Sequence, residues 1–287
     1  MPPESGPAQE PSFPGPAVIT GASSGIGLAA AVALARRGVD VALVGRHAAR
    51  LTDAAAEVRE ASGTTPATFR ADFAVLDEVR ALAERLLAGY DRIGVLANNA
   101  GAIMLRPVTT VDGFESTMQA NHLAPFLLTR LLLDRIERVV TTASGAHRSG
   151  ALDPTDLNAA LGAGGRYRAM RAYGTSKQAN ILFAAELARR RPDIVSVSFH
   201  PGVVRTRFAN EHPVVAWGMR IAPLLRTPAQ GAQTLVWLAG ERRSRLVDGG
   251  YYVDGKLRRP RSWAADPQLA AALWTASERA VGLPEAG

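Results

Sequence analysis

Short apolar runs alternate along the chain with longer stretches in which apolar residues recur every three or four positions. The runs are Ala17–Thr20, Val39–Val44, Thr68–Arg70, Ile93–Ala97, Arg138–Thr142 and Ile194–Phe199. Most are continuously apolar rather than alternating, the pattern of strands buried on both faces. The stretches between them predict helices. An alanine-rich one follows Gly27 and stops at Gly38, a second runs through Leu51, Ala55 and Val58, and a third through Val79, Leu82 and Leu86. A long one spans about Gly113 to Ile136, with Pro125 as a local irregularity, and another lies between Arg166 and Arg191. Two more open at Thr227–Pro228 and Asp266–Pro267, each a capping residue with proline in the first turn. A short apolar piece around Tyr251–Val253 stands between them. Strands alternating with helices imply an α/β domain whose parallel sheet is covered on both faces, and right-handed crossovers make it doubly wound. No internal repeat or second hydrophobic unit is visible. One domain is expected over residues 16–287, after a disordered tail at 1–15 that carries five prolines and no apolar periodicity.

Composition adds exclusions. Of the 287 residues 47% are hydrophobic, enough for a substantial core. There is no cysteine, which removes disulfides, thiolate metal sites and a cysteine nucleophile. The longest apolar run, Leu28–Ala35, is far too short to cross a bilayer. The N-terminus has neither the cationic start nor the apolar centre of a signal peptide, so no membrane anchor and a cytoplasmic location are expected. The net charge of +7 raises the question of nucleic acid. The arginines are scattered, often grouped at helix ends (Arg36–Arg37, Arg189–Arg190–Arg191), where the helix dipole favours cations. A denser set, Arg242, Arg243, Arg245, Arg258 and Arg259, stands near the C-terminus. Attraction of an anionic cofactor is the more economical use of this charge, and no nucleic-acid partner is expected. His147, His200 and His212 match no ligand spacing, and no metal is expected.

The first chemical motif is Gly21–Ala22–Ser23–Ser24–Gly25–Ile26–Gly27, directly after one predicted strand and directly before a helix. That is the context of a dinucleotide-binding loop. Glycines allow a tight turn and close backbone approach, and the helix N-terminus offers N–H groups to a pyrophosphate. A Gly-rich surface turn is the bland alternative; a P-loop is disfavoured because no Gly-Lys-[Ser/Thr] follows. At the end of the second run stands Val44–Gly45–Arg46–His47, with no carboxylate. An acidic residue there would bind a ribose 2′-hydroxyl, whereas Arg46 suits a 2′-phosphate. NADP is therefore expected as cofactor in preference to NAD.

The second motif is Tyr173–Gly174–Thr175–Ser176–Lys177 on a predicted helix. Residues four apart share a helix face, so the phenol and the amine stand together. A neighbouring cation is expected to lower the phenol's pKa from its usual value near ~10 and to make Tyr173 a general acid and base near neutrality. A half-buried tyrosine and a solvated lysine are the bland reading.

With these residues in hand the chain resembles the short-chain dehydrogenase/reductase family over about residues 15–283. The resemblance rests on Thr20–Gly27, Asp72, Asn98–Asn99–Ala100–Gly101, Asn121, Ser144, the Tyr173–Lys177 pair and Pro201–Gly202, in that order. It is closer to the retinol dehydrogenase-like branch, which includes the oxidoreductase domain attached to WW domains. That likeness lies in Thr110–Val111–Asp112–Gly113–Phe114–Glu115, Asn121–His122–Leu123, Ser144–Gly145–Ala146–His147–Arg148 and His200–Pro201–Gly202–Val203–Val204–Arg205–Thr206. The resemblance implies a Rossmann-type sheet of about seven strands, order 3-2-1-4-5-6-7, and the following roles. Tyr173 would be the general acid and Lys177 the group that tunes it and holds the nicotinamide ribose. Ser144 would bond the substrate oxygen, and Asn121 would shape the active-site helix and a proton-relay water. The cofactor would lie on Gly21, Ser23, Ser24, Gly25, Ile26 and Gly27. Asp72 would meet the adenine and Asn98, Ala100 and Gly101 the ribose side. Pro201, Val204 and Thr206 would border the nicotinamide. A substrate lid is implied around 205–226, where Trp217, Met219, Ile221, Leu224 and Leu225 stand. The segment Gly145 to Ala172 is longer than many members show and is expected to form part of the substrate wall. Homodimers or homotetramers are usual in the family.

The expected function is an NADP(H)-dependent oxidoreductase interconverting a carbonyl and an alcohol on an apolar small molecule. Competing readings are an NADP-binding regulatory or scaffold protein on the same fold, and a same-fold epimerase or dehydratase. The complete set of Ser144, Tyr173 and Lys177 argues against a pure binder.

Overall fold

The computed structural model describes residues 13–161, 166–204 and 225–284. The elements in chain order are β1 (Ala17–Thr20), α1 (Gly25–Ala35), β2 (Val41–Gly45), α2 (Ala48–Ser62), β3 (Ala67–Arg70), α3 (Leu76–Gly89) and β4 (Val95–Asn98). They continue with α4 (Ser116–Met118), α5 (Ala124–Leu132), β5 (Arg138–Thr142), α6 (Ala169–Arg190) and β6 (Val195–His200). The chain closes with α7 (Pro228–Gly240), β7 (Tyr251–Val253), β8 (Lys256–Arg258) and α8 (Pro267–Ala280). All strands among the described residues join one sheet in the order β3-β2-β1-β4-β5-β6-β7-β8. β1, β2, β4 and β5 are buried at every residue, which is why their runs are apolar without alternation.

Neighbouring side chains on β1 leave by opposite faces. Ile19 joins a layer with Leu34 of α1, Val58 of α2 and Leu235 of α7. Val18 joins another with Leu82 of α3, Phe126 of α5 and Phe183 of α6. α8 lies outside α6, placing Trp274 against Phe126 and Phe183. No helix among the described residues is long and apolar enough to cross a membrane.

Three differences from the sequence pattern have clear causes. First, the sheet has an eighth strand. β8 is exposed throughout and so carries no apolar run. It exists because Asp254 (φ 54) and Gly255 (φ 68) form a left-handed two-residue turn that returns the chain antiparallel to β7. Second, the long helix expected over 113–136 is broken. Pro125 has no N–H to give the carbonyl of Asn121 four residues back. A wider π-turn over Gln119–Leu123 takes its place, with the N–H of Ala124 reaching the Gln119 carbonyl. Third, Phe13 stands in the segment assigned to the tail yet is only 8% exposed. A Cβ on Gly94 would fall 2.1 Å from its ring, so the aromatic ring fills the space that glycine leaves before β4.

Phe13→Ala should cost about 3 kcal/mol, the usual scale for deleting a packed aromatic ring, read from urea unfolding. A loss under about 0.5 kcal/mol would return residue 13 to the tail.

Candidate active site

The glycine loop is folded tightly against itself and against the end of β4. Gly21 has φ +68, and a Cβ there would lie 2.9 Å from the Cα of Ala100. A Cβ on Gly27 would lie 2.5 Å from the Gly21 carbonyl oxygen, so no larger residue fits either place. Ser24 caps α1 with extended backbone and no side-chain bond to the helix. The first turn of α1 holds no acidic residue, so its N–H groups and positive dipole end remain for an anion. Ser23 packs against the end of β2, where a Cβ on Gly45 would stand 3.2 Å from its hydroxyl. Arg46 follows Gly45 and is exposed, its Nε donating to His47 Nε2 at 3.1 Å.

Thr20 and Asn99 lock this loop to the neighbouring strand. The Thr20 hydroxyl donates to the Ala97 carbonyl and accepts the N–H groups of Asn99 and Ala100. Asn99 Nδ2 returns a bond to the Thr20 carbonyl at 2.9 Å. Sequence reading singled out Asn98 of this Asn-Asn pair for the ribose side. The structure turns Asn98 inward, 2% exposed, its amide donating to Thr129 of α5 at 2.9 Å. As the last residue of β4 it points into the helix layer, and the strand's alternation leaves Asn99 to face the loop. Asp72 has a local task as well: its carboxylate accepts the Ala74 N–H at 2.9 Å, closing a turn before α3.

The catalytic candidates converge at the end of β5. Lys177 is buried, 2% exposed, and its Nζ donates to the Thr142 carbonyl at 3.0 Å. Asn180, one turn on, donates to the same oxygen at 3.0 Å. Tyr173 stands one turn before Lys177, its ring centroid 5.6 Å from Nζ. Ser144, two residues past β5, stands beside the Tyr173 phenol and favours its ionised form. Asn121 sits in the π-turn and braces the rest. Its Oδ1 accepts the Ala102 N–H at 2.6 Å, and its Nδ2 donates to the Ala102 carbonyl and to Ser176 of α6, both at 2.9 Å. Gly101 completes the floor, where a Cβ would stand 3.1 Å from Asn121 Oδ1 and 3.5 Å from Lys177 Nζ. Thr142 and Asn180 were not singled out from sequence. Their signal was positional only: a strand end, and a polar residue on the buried face of α6.

The electrostatics reverse one expectation. The nearby lysine was expected to lower the phenol's pKa. Burial instead pushes Tyr173 up to about 12, with the Ser144 hydrogen bond pulling the other way. Burial likewise pushes Lys177 down to about 7. Spacing on a helix fixes who the neighbours are. It does not fix how much water they lose, and here desolvation is the largest cause of both shifts.

Val204 is buried and pairs in a parallel bridge with Arg226. A Cβ on Gly231 of α7 would lie 2.6 Å from a Val204 methyl and 3.2 Å from Ile26 Cγ1, so these two predicted residues stand beside the same glycine. Pro201 is buried after β6. Thr206, most of the expected lid and residues 162–165 of the long segment lie outside the described residues. The remainder of that segment is folded down: the Tyr167 hydroxyl bonds both the Met104 carbonyl and the buried Glu115 carboxylate at 3.0 Å. No group of three metal-ligating side chains occurs among the described residues. A cavity of about 720 Å³ opens at the opposite end of the sheet, beside Arg138 and Val195. Its Arg92 and Arg191 are already paired with Glu137 and Asp193.

A family model described as short chain dehydrogenase matches residues 16–213. The chain is 52% identical, over 92% of its own length and 92% of the other, to a Streptomyces sp. (strain C5) protein provisionally named daunorubicin C-13 ketoreductase DnrU. It is 36% identical to Mus musculus retinol dehydrogenase 12, covering 93% of this chain and 86% of that one. Among solved structures, an uncharacterised Mycobacterium paratuberculosis protein is similar with a TM-score of 0.75 and 32% identity, covering 95% of this chain and 96% of the other. A short chain dehydrogenase of Shigella flexneri 2a str. 301 complexed with NADP is similar with a TM-score of 0.66 and 27% identity, covering 86% and 100%.

The Lys177 shift makes a signed prediction. Its pKa is lower in the folded chain, about 7, than in the unfolded one, near ~10.4. The penalty is therefore complete below about pH 7 and fades as pH rises towards the unfolded value. Lys177→Met, which leaves Asn180 on the Thr142 carbonyl, should melt above the wild type at pH 6.5, with the gap closing by pH 10. A pH-independent gap, or a less stable variant at pH 6.5, would refute the burial account.

Proposed function

Since the chain belongs to the short chain dehydrogenase/reductase family, in its retinol dehydrogenase-like branch, and so is an NAD(P)-binding oxidoreductase of CH–OH groups, we propose that it is an NADP(H)-dependent ketoreductase of apolar small molecules with Tyr173 as its acid. A dinucleotide fits the residues present. The Gly21–Gly27 cradle admits no Cβ at its two tightest points, and the uncapped start of α1 faces it with free donors. Ser23, Ser24, Gly25 and Ile26 would line the pyrophosphate. Arg46, exposed at the end of β2, would hold the 2′-phosphate that separates NADP from NAD. Lys177 would hold the nicotinamide ribose, with Val204 and Pro201 bordering the ring. The bound cofactor supplies or accepts the hydride.

The protein's own task is the proton. Tyr173 is kept neutral at pH 7, so it carries the hydrogen that a carbonyl reduction consumes. An alkoxide is a stronger base than a phenolate, so transfer from Tyr173 runs downhill even with its raised pKa. The Ser144 hydroxyl beside Tyr173 would turn its single proton to the same substrate oxygen as negative charge grows there. Lys177 stabilises the phenolate left behind, and Asn121 keeps α6 and the Ala102 backbone in register. The observation that carries this reading is the convergence of Ser144, Tyr173 and Lys177 at one strand end. For the substrate, the names of the relatives support a ketone or alcohol on an apolar skeleton. Met170, one turn before Tyr173 and 58% exposed, would add an apolar side chain near the site.

Tyr173→Phe should lower kcat with a ketone panel by roughly 10³-fold while fluorescence titration shows NADPH binding within about threefold of wild type. Retained turnover would mean that another group supplies the proton. Arg46→Ala should weaken NADPH by roughly 10–100-fold, the scale of a charge-assisted hydrogen bond, and leave NADH nearly unchanged. Equal losses for both would remove Arg46 from the phosphate.

A further inference from the structure

Ser144 caps a five-residue 3₁₀ turn, Gly145–Ser149. In that turn His147 is buried, 2% exposed, between exposed Arg148 and half-buried Ala146. Its Nδ1 lies 2.7 Å from the Ser144 carbonyl oxygen, which also accepts the backbone N–H of His147 at 3.1 Å. A carbonyl has no proton to give, so Nδ1 carries the hydrogen and the tautomer is fixed. Nε2 is buried with no hydrogen-bond partner among the described residues. The ring stands edge-on to Tyr251 of β7, 5.3 Å between centroids at 72°. The turn is held on two other sides. A Cβ on Gly145 would lie 3.3 Å from His200 Nε2, and a Cβ on Gly174 of α6 would lie 2.5 Å from the Ala146 carbonyl. The Ser144 hydroxyl oxygen accepts the Ala146 N–H at 3.2 Å.

We infer that His147 is a positioning residue for Ser144: its Nδ1–H grips the Ser144 carbonyl from behind and aims the hydroxyl at Tyr173 and the reacting oxygen. The inference rests on Ser144 being a donor to that oxygen. The ring serves as a fixed neutral donor. Burial, with Arg148 and Arg261 nearby, holds it below the ordinary histidine pKa; Tyr251 and His200 are the other titratable groups around it. Packing alone would be satisfied by any side chain of similar bulk, whereas this role requires an N–H at one point. Asparagine places Nδ2–H close to where histidine places Nδ1–H, and leucine has none.

The test is steady-state kinetics of His147→Leu and His147→Asn, each alone and with Ser144→Ala, using NADPH and a ketone. His147→Leu should lower kcat by about three- to tenfold, the size of one lost positioning hydrogen bond, with the NADPH Kd unchanged within about twofold. His147→Asn should recover most of that loss. In the Ser144→Ala background the leucine substitution should cost less than about twofold, because a residue acting through Ser144 has nothing left to position. The same factor in both backgrounds, an unchanged kcat, or parallel losses of kcat and NADPH affinity would each overturn the inference. If His147→Leu does not fold, His147→Gln, which displaces the N–H by one carbon, is read in its place. Loss of activity in Tyr173→Phe with full activity in His147→Leu would sink this inference alone and leave the proposed reaction standing.

Discussion

One carbonyl organises the reactive end of this molecule. The oxygen of Thr142, on the last residue of β5, accepts two buried donors from a single helix, Lys177 Nζ and Asn180 Nδ2. Together they pin α6 to the strand end and fix the rotation of the helix. Tyr173 is then placed one turn earlier, over the two-residue link to Ser144. The arrangement is costly. An amine with a carbonyl as its hydrogen-bond acceptor loses hydration that no carboxylate restores, and its proton becomes weakly held. Such a cost is tolerated where a bound group meets the amine, and the cofactor's ribose would be that group.

The sheet explains why these residues meet at all. Parallel strands end on the same side, and in open α/β sheets ligands bind beyond those ends. The glycine loop follows β1, Arg46 follows β2, Asn99 follows β4, Ser144 follows β5 and Pro201 follows β6. Cross-bonds then turn this row of strand ends into one surface. Thr20 ties the β1 end to β4, and Asn121 ties the stretch after β4 to α6. Close approach is repeatedly secured by glycine, at Gly27 against Gly21 and at Gly174 against the Ser144 turn.

Much of this was legible in the chain because the strands are buried on both sides. β1 and β5 match their apolar runs residue for residue, and both proline-led helix starts near the C-terminus are present. β8 was not legible, since an exposed Lys-Leu-Arg edge is stabilised by its turn rather than by burial. Pro125 marked an irregularity, but only the fold shows that the π-turn it forces is what carries Asn121. At the site, helix spacing paired Tyr173 with Lys177, and the family resemblance added Ser144; the fold brings the three to one strand end. Spacing and resemblance did not show that the Asn98 side chain turns in to Thr129 while that of Asn99 bonds the Thr20 carbonyl, because that depends on which way the strand's last side chain faces. Nor could they give the sign of the Tyr173 shift, because spacing reports a neighbour's charge and not the water excluded around it.

The central claim is geometric: one oxygen atom of the substrate meets two hydroxyl groups from different elements of the chain. A crystal structure of the protein holding NADP and a bulky alcohol tests it most directly. The account predicts Ser144 Oγ and Tyr173 Oη both within about 3 Å of the alcohol oxygen, with Lys177 still on the Thr142 carbonyl or turned to the ribose. An alcohol oxygen that touches neither hydroxyl, with Tyr173 sealed behind packed side chains, would contradict it and leave a nucleotide-binding fold whose chemistry lies elsewhere.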